Sequence, residues 1–191
     1  MSTAGIILAA GESRRMGFPK ALLRYRNATF LDTLVALFAP RCSPVIVVLG
    51  AHADRIREGA ACPATFVVNM DFQRGMITSL QCGLRSVPPD AEAVLLTLVD
   101  HPAVAPATLD ALLAETGTLL RVPRYTGRRG HPIWFASALI PEFLALPQTG
   151  AARDVVRAHA AGTTFLDLDD PGIVADIDDP AAYRELTGAV L

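Results

Sequence analysis

Ile6-Ile7-Leu8-Ala9-Ala10-Gly11-Glu12-Ser13-Arg14-Arg15-Met16-Gly17-Phe18-Pro19-Lys20-Ala21-Leu22-Leu23 joins an unbroken apolar run to a glycine-bounded basic loop. The apolar stretch at 6–10, stopped by Gly11, has the pattern of a strand buried on both faces, as in a parallel sheet. Gly11 has no Cβ, so the backbone there can turn sharply and approach a ligand closely. Arg14, Arg15 and Lys20 follow. Backbone N–H groups and three cations therefore gather beyond the strand's carboxyl end, an arrangement suited to a polyphosphate. Lys20 is the only lysine in the chain, against 16 arginines. A single lysine kept beside this turn points to a need for a compact, mobile point charge; chance placement is the alternative. The loop is not Gly-x-x-x-x-Gly-Lys-[Ser/Thr], because Lys20 lies three residues beyond Gly17. Nor is it Gly-x-Gly-x-x-Gly, because Glu12-Ser13 follow Gly11.

At 191 residues the chain can bury a real core and is short enough to be one domain over 1–191. Hydrophobic residues at 51% against charged residues at 19% exclude a disordered chain. A formal net charge of -2 argues against a nucleic-acid surface. No apolar run approaches the roughly 18 residues that span a bilayer. Residues 1–5 carry no positive charge ahead of the apolar run, which favours a strand over a signal peptide. Cys42, Cys62 and Cys82 are odd in number and form no Cys-x-x-Cys pair, so they read as reduced thiols of a soluble cytoplasmic protein.

Beyond the loop, residues 30–39 place apolar side chains at 30, 31, 34, 35, 37 and 38, a helical spacing stopped by Pro40. Residues 44–49 read as a β-branched strand, 51–58 as a short polar-faced helix and 64–68 as a third strand. A helix opens within 69–80 and runs to Ser86. Residues 93–99 are the most apolar strand, ending in Asp100-His101-Pro102. A helix over 106–115 and a strand over 119–122 come next, then a basic glycine-rich turn that enters an apolar edge within 124–135. Helices over 137–146 and 151–161, strands over 163–168 and 173–177, and a last helix over 180–186 complete the chain. The alternation predicts an α/β fold with one doubly wound, mainly parallel sheet.

Asp100 stands at the carboxyl end of a central strand, where open α/β sheets bind ligands. A hard oxygen there suits Mg²⁺, which takes few protein contacts when a triphosphate supplies the rest; a cap or turn residue is the alternative. Two-residue alternation puts Asp176 and Asp178 on one face of the last strand's end, and Asp179 before Pro180 reads as an N-cap. His101 either fills its turn or binds. Arg128 and Arg129 either tip a solvated hairpin or meet an anion. Trp134 reads as core and not as a stacking platform.

Leu8-Ala9-Ala10-Gly11-x-Ser13-x-Arg15-Met16-Gly17-x-Pro19-Lys20-x-Leu22-Leu23 closely resembles the signature of the MobA-like nucleotidyltransferases, and among them the molybdenum cofactor cytidylyltransferase branch. The resemblance implies a Rossmann-like nucleotide-binding half of the nucleotide-diphospho-sugar transferase type. It also implies nucleotide contacts from Leu8, Ala9, Ala10, Gly11, Ser13 and Lys20. Asn69, Gly75, Met76, Ser79 and Leu80 match Asn-Pro-x-Trp-x-x-Gly-Met-x-x-Ser-Leu, which lines the nucleotide pocket in that branch; Met70 and Phe72 depart from it. For Ser79 the alternative is a helix-surface hydroxyl satisfied by its own backbone. Asp100 matches the metal-binding aspartate of Gly-Asp-Gln-Pro, with Val99 and His101 as departures. Arg129, Gly130, His131 and Pro132 match an Arg-Gly-His-Pro segment near the acceptor, which would bring Arg129, His131 and His101 to the acceptor phosphate. Residues 176–180 resemble Asp-Ile-Asp-Thr-Pro, whose aspartates reach the nucleotide and metal. That makes Asp178 the favoured second metal ligand, with Asp176 behind it.

The implied reaction is attack of an acceptor phosphate oxygen on the α-phosphorus of a nucleoside triphosphate, with pyrophosphate leaving. Such a step needs charge neutralisation more than covalent chemistry. Lys20, Arg15 and Asp100 would be its catalytic residues and Mg²⁺ its cofactor. Leu-Ala-Ala-Gly, where the guanylyl branch has Leu-Ala-Gly-Gly, points to CTP, with molybdopterin as acceptor and a molybdoenzyme as client. Guanylyl transfer, transfer to sugar or polyol phosphates and a non-catalytic nucleotide-binding maturation chaperone are the alternatives.

Overall fold

The computed structural model describes residues 2–114 and 117–189. In chain order its elements are β1 (Thr3–Ala9), a small hairpin of β2 (Arg24–Tyr25) and β3 (Ala28–Thr29), α1 (Phe30–Phe38), β4 (Val45–Leu49), α2 (Ala53–Gly59), β5 (Thr65–Val68), α3 (Met76–Leu84) and β6 (Ala93–Leu98). They continue with α4 (Pro106–Ala114), β7 (Leu120–Tyr125), β8 (Arg128–Arg129), β9 (Ile133–Ala136), α5 (Ile140–Ala145), α6 (Ala152–Ala158), β10 (Thr163–Asp167) and α7 (Pro180–Thr187). The expected helix over 106–115 is α4; its last residue, Glu115, lies outside the described residues.

The main sheet runs in the order β10-β7-β9-β6-β1-β4-β5, with β8 paired to β7. β1 is parallel to both neighbours, with Leu8 opposite Val48 on β4 and Leu98 on β6. β4 with β5 and β7 with β10 are also parallel pairs. All seven residues of β1 are buried because the sheet is covered on both faces. Ile7, Val47 and Leu95 point to one layer, with Leu34 and Phe38 of α1, Ile56 of α2, Leu109 of α4 and Tyr183 of α7. Ile6, Val48 and Leu96 point to the other, with Leu80 of α3, Phe143 of α5 and Val155 of α6. This is the doubly wound, mainly parallel arrangement expected from the alternation.

Two local features differ from the sequence reading, at β9 and at residues 173–177, and two others, the β7–β8 turn and the start of α3, are made specific by the structure. The stretch after residue 124 does not enter an edge, because β9 lies inside the sheet, antiparallel to both β6 and β7. The turn before β8 takes Thr126 to φ 47° and Gly127 to φ 80°, the left-handed pair that a tight hairpin needs. Residues 173–177 are not a strand: Pro171–Val174 is a 3-10 turn, and the chain then crosses the sheet's end, the Ile177 N–H donating to the Asp100 carbonyl at 3.0 Å. Ile173 and Ile177 are buried all the same, so the apolar alternation there reports a packed strap without a ladder. Finally, α3 begins at Met76, because Gly75 at φ 118° breaks from the 3-10 turn Phe72–Arg74.

Trp134 is core, 2% exposed, and the guanidinium of buried Arg121 lies 3.4 Å from its ring centroid while donating to the Leu112 carbonyl at 2.8 Å. Asp179 caps α7, accepting from the N–H groups of Ala181 and Ala182. The three cysteines are unpaired. Among the described residues no helix is long and apolar enough to cross a membrane.

The strap is tied down where Gly130 meets it. A Cβ at Gly130 would lie 2.3 Å from the Ile173 carbonyl oxygen, a backbone atom that cannot swing aside. Gly130→Ala is expected to destabilise the fold by about 1–3 kcal/mol, lowering Tm by about 2–4 °C for each kcal/mol. Gly162→Ala, whose Cβ would meet nothing within 4 Å, should leave the urea midpoint unchanged.

Candidate active site

The loop after β1 closes on itself before it reaches outward. Ser13 adopts φ 52°, a left-handed conformation that a non-glycine residue keeps only when its surroundings hold it. Here the Ser13 carbonyl accepts from the N–H groups of Met16 and Gly17 at 3.0 and 3.1 Å, and its hydroxyl accepts from the Lys20 N–H at 3.1 Å. The sharp turn expected at Gly11 thus falls at Ser13, while a Cβ at Gly11 would face open space. Lys20 opens the 3-10 turn Lys20–Leu22, which fixes its backbone and aims its long side chain back across the ends of β1 and β6.

There the Lys20 ammonium donates to Asp100 Oδ2 at 3.2 Å and, at shorter range, to Asp178 Oδ1. Arg15 donates to the other oxygen of Asp178 at 2.6 Å. The Lys20 and Asp100 side chains are only 12% and 17% exposed, so these charges meet in a partly dehydrated setting where pairing is strong. The hydrogen bond from Lys20, reinforced by Arg15, holds the Asp178 carboxyl below its ordinary pKa of 3.8 against the opposing effect of burial. Arg14 instead pairs with Glu12 and is 82% exposed at the rim.

The cluster forms one wall of a cleft of about 320 Å³ at the carboxyl ends of β1 and β6. Leu8, Ala9, Ala10, Gly11, Ser13, Arg15, Lys20, Ser79, Asp100 and Asp178, all singled out from sequence, line it. Met76, which matches the pocket segment in sequence, joins Ile56 and Phe72, which the sequence reading left out of the site, in an apolar wall. Phe72 carried a signal, being an aromatic where the family pattern has tryptophan. It reaches the cleft because Gly50 makes room: a Cβ at Gly50 would lie 2.7 Å from both the Phe72 Cβ and the Ala10 carbonyl oxygen.

Other expected site residues sit outside the lining. Asn69 is a buried bracket, its side-chain amide donating to the Thr78 and Ser79 hydroxyls at 2.9 Å each and its oxygen accepting from the Asp71 N–H. Ser79 is therefore held by Asn69 at the cleft wall and is not a surface hydroxyl. Gly75 sets the break before α3. Asp176 is exposed and does not line the cleft; the strand that would have placed it on one face with Asp178 does not form. His101 is buried, with Nε2 3.7 Å from Asp100 Oδ1, and its ring packs against His131 at a centroid distance of 5.1 Å. Burial pushes His131 down to about 4, helped by His101. Burial also lowers His101, outweighing the pull of Asp100 and Asp176 toward the charged form. Both rings are therefore neutral near pH 7, and neither supplies a cation. Arg129 is exposed on β8, its guanidinium 4.7 Å from the Phe165 ring centroid.

The donor set fits a hard divalent cation. Asp100 and Asp178 offer carboxylate oxygens, and Asp100 Oδ1 is buried with no hydrogen-bond partner. No group of three or more His, Cys, Asp or Glu among the described residues is arranged to hold a metal, so a cation here would take its remaining ligands from substrate and water.

A cleft at the carboxyl ends of parallel strands, with cations and carboxylates on one wall, has the position and chemistry that suit a nucleotide. The sequence profile of the MobA-like NTP transferase domain matches residues 5–163, and the chain belongs to that family of nucleotidyltransferases. It is 30% identical over 183 residues to the molybdenum cofactor cytidylyltransferase of Escherichia coli K12, covering 92% of this chain and 90% of that one. It is 32% identical over 206 residues to a probable molybdenum cofactor guanylyltransferase of Mycobacterium avium, covering 99% and 97%. Among solved structures it is similar to Rv0371c of Mycobacterium tuberculosis H37Rv, with a TM-score of 0.86 and 32% identity over 99% of this chain and 98% of that one. A second structure of that protein is a complex with manganese, at a TM-score of 0.80 and 30% identity over 100% of both chains.

The lowered pKa of Asp178 makes stability depend on acid. Its contribution is complete above the ordinary value of 3.8 and is lost as pH falls below that value, through the carboxyl's own lower pKa. Denaturation curves should show Asp178→Asn less stable than the native chain at neutral pH, with the difference shrinking in this acid window.

Proposed function

We propose that this chain moves CMP from CTP to a phosphorylated acceptor of the molybdopterin kind, releasing pyrophosphate, with Mg²⁺ as its metal. The observation that carries the reading is the pairing of Lys20 and Arg15 with Asp100 and Asp178 along one wall of a cleft whose other wall is apolar. One wall suits phosphates and a cation, the other a base. The relatives support nucleotidyl transfer as the reaction class. For the donor, Ala10 is buried at the cleft and its carbonyl accepts from the Ala51 N–H at 3.0 Å, so its methyl is held in place, narrowing the pocket toward a pyrimidine. Guanylyl transfer is the second reading, favoured by the likeness to the M. avium protein.

In the reaction a bond forms between the acceptor phosphate oxygen and the α-phosphorus, and the bond from that phosphorus to the pyrophosphate oxygen breaks. Lys20 and Arg15 hold the triphosphate and meet the negative charge that moves onto the leaving group. Asp100 and Asp178 would hold the divalent cation, which would supply further neutralisation of phosphate charge. Ser13 keeps the loop in shape, and Ser79, braced by Asn69, offers a hydroxyl to the nucleotide. No side-chain nucleophile takes part: burial raises the Cys42 and Cys62 thiols to about 12, so neither forms a thiolate near pH 7. β7 runs parallel to β6, because both are antiparallel to β9. The hairpin bearing Arg128 and Arg129 therefore lies at the cleft's end of the sheet, where these arginines are the cations for the acceptor's phosphate. His101 and His131, being neutral, act there only as hydrogen-bonding groups. The reaction takes place in the cytoplasm, with a molybdoenzyme as client.

Pyrophosphate release from CTP, GTP, ATP and UTP, each with Mg²⁺ and molybdopterin, tests the reading. CTP should exceed GTP by at least about tenfold in kcat/KM, and Lys20→Ala should lower kcat by about 10²–10³. A preference for GTP would select guanylyl transfer, and no release from any donor would sink the reaction.

A further inference from the structure

We infer that the Lys20 ammonium is a resident counter-ion standing in the position a divalent cation needs, so that metal and nucleoside triphosphate bind as a linked pair and metal alone binds weakly. The inference rests on the cleft being the nucleotide site proposed above. Lys20 Nζ sits within ion-pairing range of Asp100 Oδ2, at 3.2 Å, and of Asp178 Oδ1, the two carboxylates that would hold the cation. Arg15 occupies the remaining oxygen of Asp178 at 2.6 Å. The cluster is balanced: two cations against two carboxylates.

A divalent cation added to that cluster would set four positive charges against two negative ones, with Lys20 and Asp100 mostly shielded from water. At such spacing the repulsion between the ammonium and the metal is large, so the ammonium has to leave the carboxylates before the metal binds them. Its destination is decided by the cleft's composition. Among the described residues Asp100 and Asp178 are the only acidic ones lining it, so the further anion the ammonium can meet within the cleft is a ligand's phosphate. Lys20 can make the move because its backbone is fixed by the Ser13 hydroxyl and the 3-10 turn, while its four-carbon stem and point charge stay mobile. Transfer of the ammonium to the phosphates uncovers both metal ligands. Reciprocity then requires that metal favour nucleotide by the same factor as nucleotide favours metal.

Titration of the full chain with Mn²⁺ in the absence of nucleotide, read by calorimetry, tests the exchange. Lys20→Met is expected to bind Mn²⁺ at least about tenfold more tightly than the native protein, because its carboxylates are uncovered. Adding Asp100→Asn to that variant should abolish the gain, placing the metal on this carboxylate. Arg14→Met, which removes the same charge from the exposed rim, should change the affinity by less than about twofold. Lys20→Gln serves as a second variant, and circular dichroism checks that each is folded. Mn²⁺ affinity in folded Lys20→Met or Lys20→Gln equal to or below that of the native protein overturns the inference, even if the native protein releases pyrophosphate. A tenfold gain supports it, even if no pyrophosphate is released and the proposed reaction fails.

Discussion

A lysine ammonium whose side chain is 12% exposed has to find its counter-charge inside the fold, because a dehydrated charge without a partner is costly. Lys20 finds it in Asp100 and Asp178, 80 and 158 residues further along the chain. Two demands follow. β6 must end beside β1 so that Asp100 arrives next to the loop, and the parallel register with Leu98 opposite Leu8 brings it there. The C-terminal segment must also return over the sheet's end just before it enters α7. It is held there by the bond from Ile177 to the Asp100 carbonyl and by that from His131 to the Ile173 carbonyl. Asp170 adds to this, accepting from the Ala105 N–H and the Thr108 hydroxyl. The matched family span ends at residue 163, yet Asp178, beyond it, closes the cluster.

The same pairing explains why so polar a wall can stand beside Leu8, Ile56 and Phe72. With Arg15 included the cluster is neutral as a group, so it sets no unbalanced charge against the apolar wall. Lys20 and Arg15 are held at the cleft by these carboxylates, so the cations stand beside the apolar wall with their charge already balanced. The neutral His101–His131 pair behind Asp100 extends the logic. Burial keeps these rings uncharged, so they fill space next to the carboxylate without adding a third cation to the balance.

Much of this was legible in the sequence. The unbroken apolar runs at β1, β4 and β6 and the alternation with helices specify a parallel sheet wound on both faces, because only burial on both sides tolerates strands without polar alternation. The solitary lysine and the aspartate after the most apolar strand located the cleft. What stayed hidden was tertiary. Ile173 and Ile177 show a strand's alternation, but they are buried by a strap whose backbone bonds go to other partners. β9, short and following a hairpin, gave no local sign that it inserts between β6 and β7. Ile56 faces the cleft from a helix whose other residues are mostly polar, and nothing in its neighbours distinguishes it. Asp176 and Asp178 are equivalent by spacing, and only the path of the strap sends one to Lys20 and the other to solvent.

The solitary lysine also has a geometric explanation that composition alone could not supply. An arginine at position 20 would present a planar fork that matches one carboxylate in a bidentate pair, whereas the observed cation is shared between two carboxylates from different elements. A compact ammonium with three donors can be shared in that way and can leave without breaking a rigid two-bond geometry. Arg15, by contrast, reaches one oxygen of Asp178 from the exposed side, where a fork costs nothing in mobility. Other arginines of this chain serve in pairs such as Arg41 with Asp110 or in stacks such as Arg121 on Trp134, where a fixed plane is an advantage. At the centre of the cleft the requirement is reversed, because the cation there is shared between two carboxylates carried by different elements.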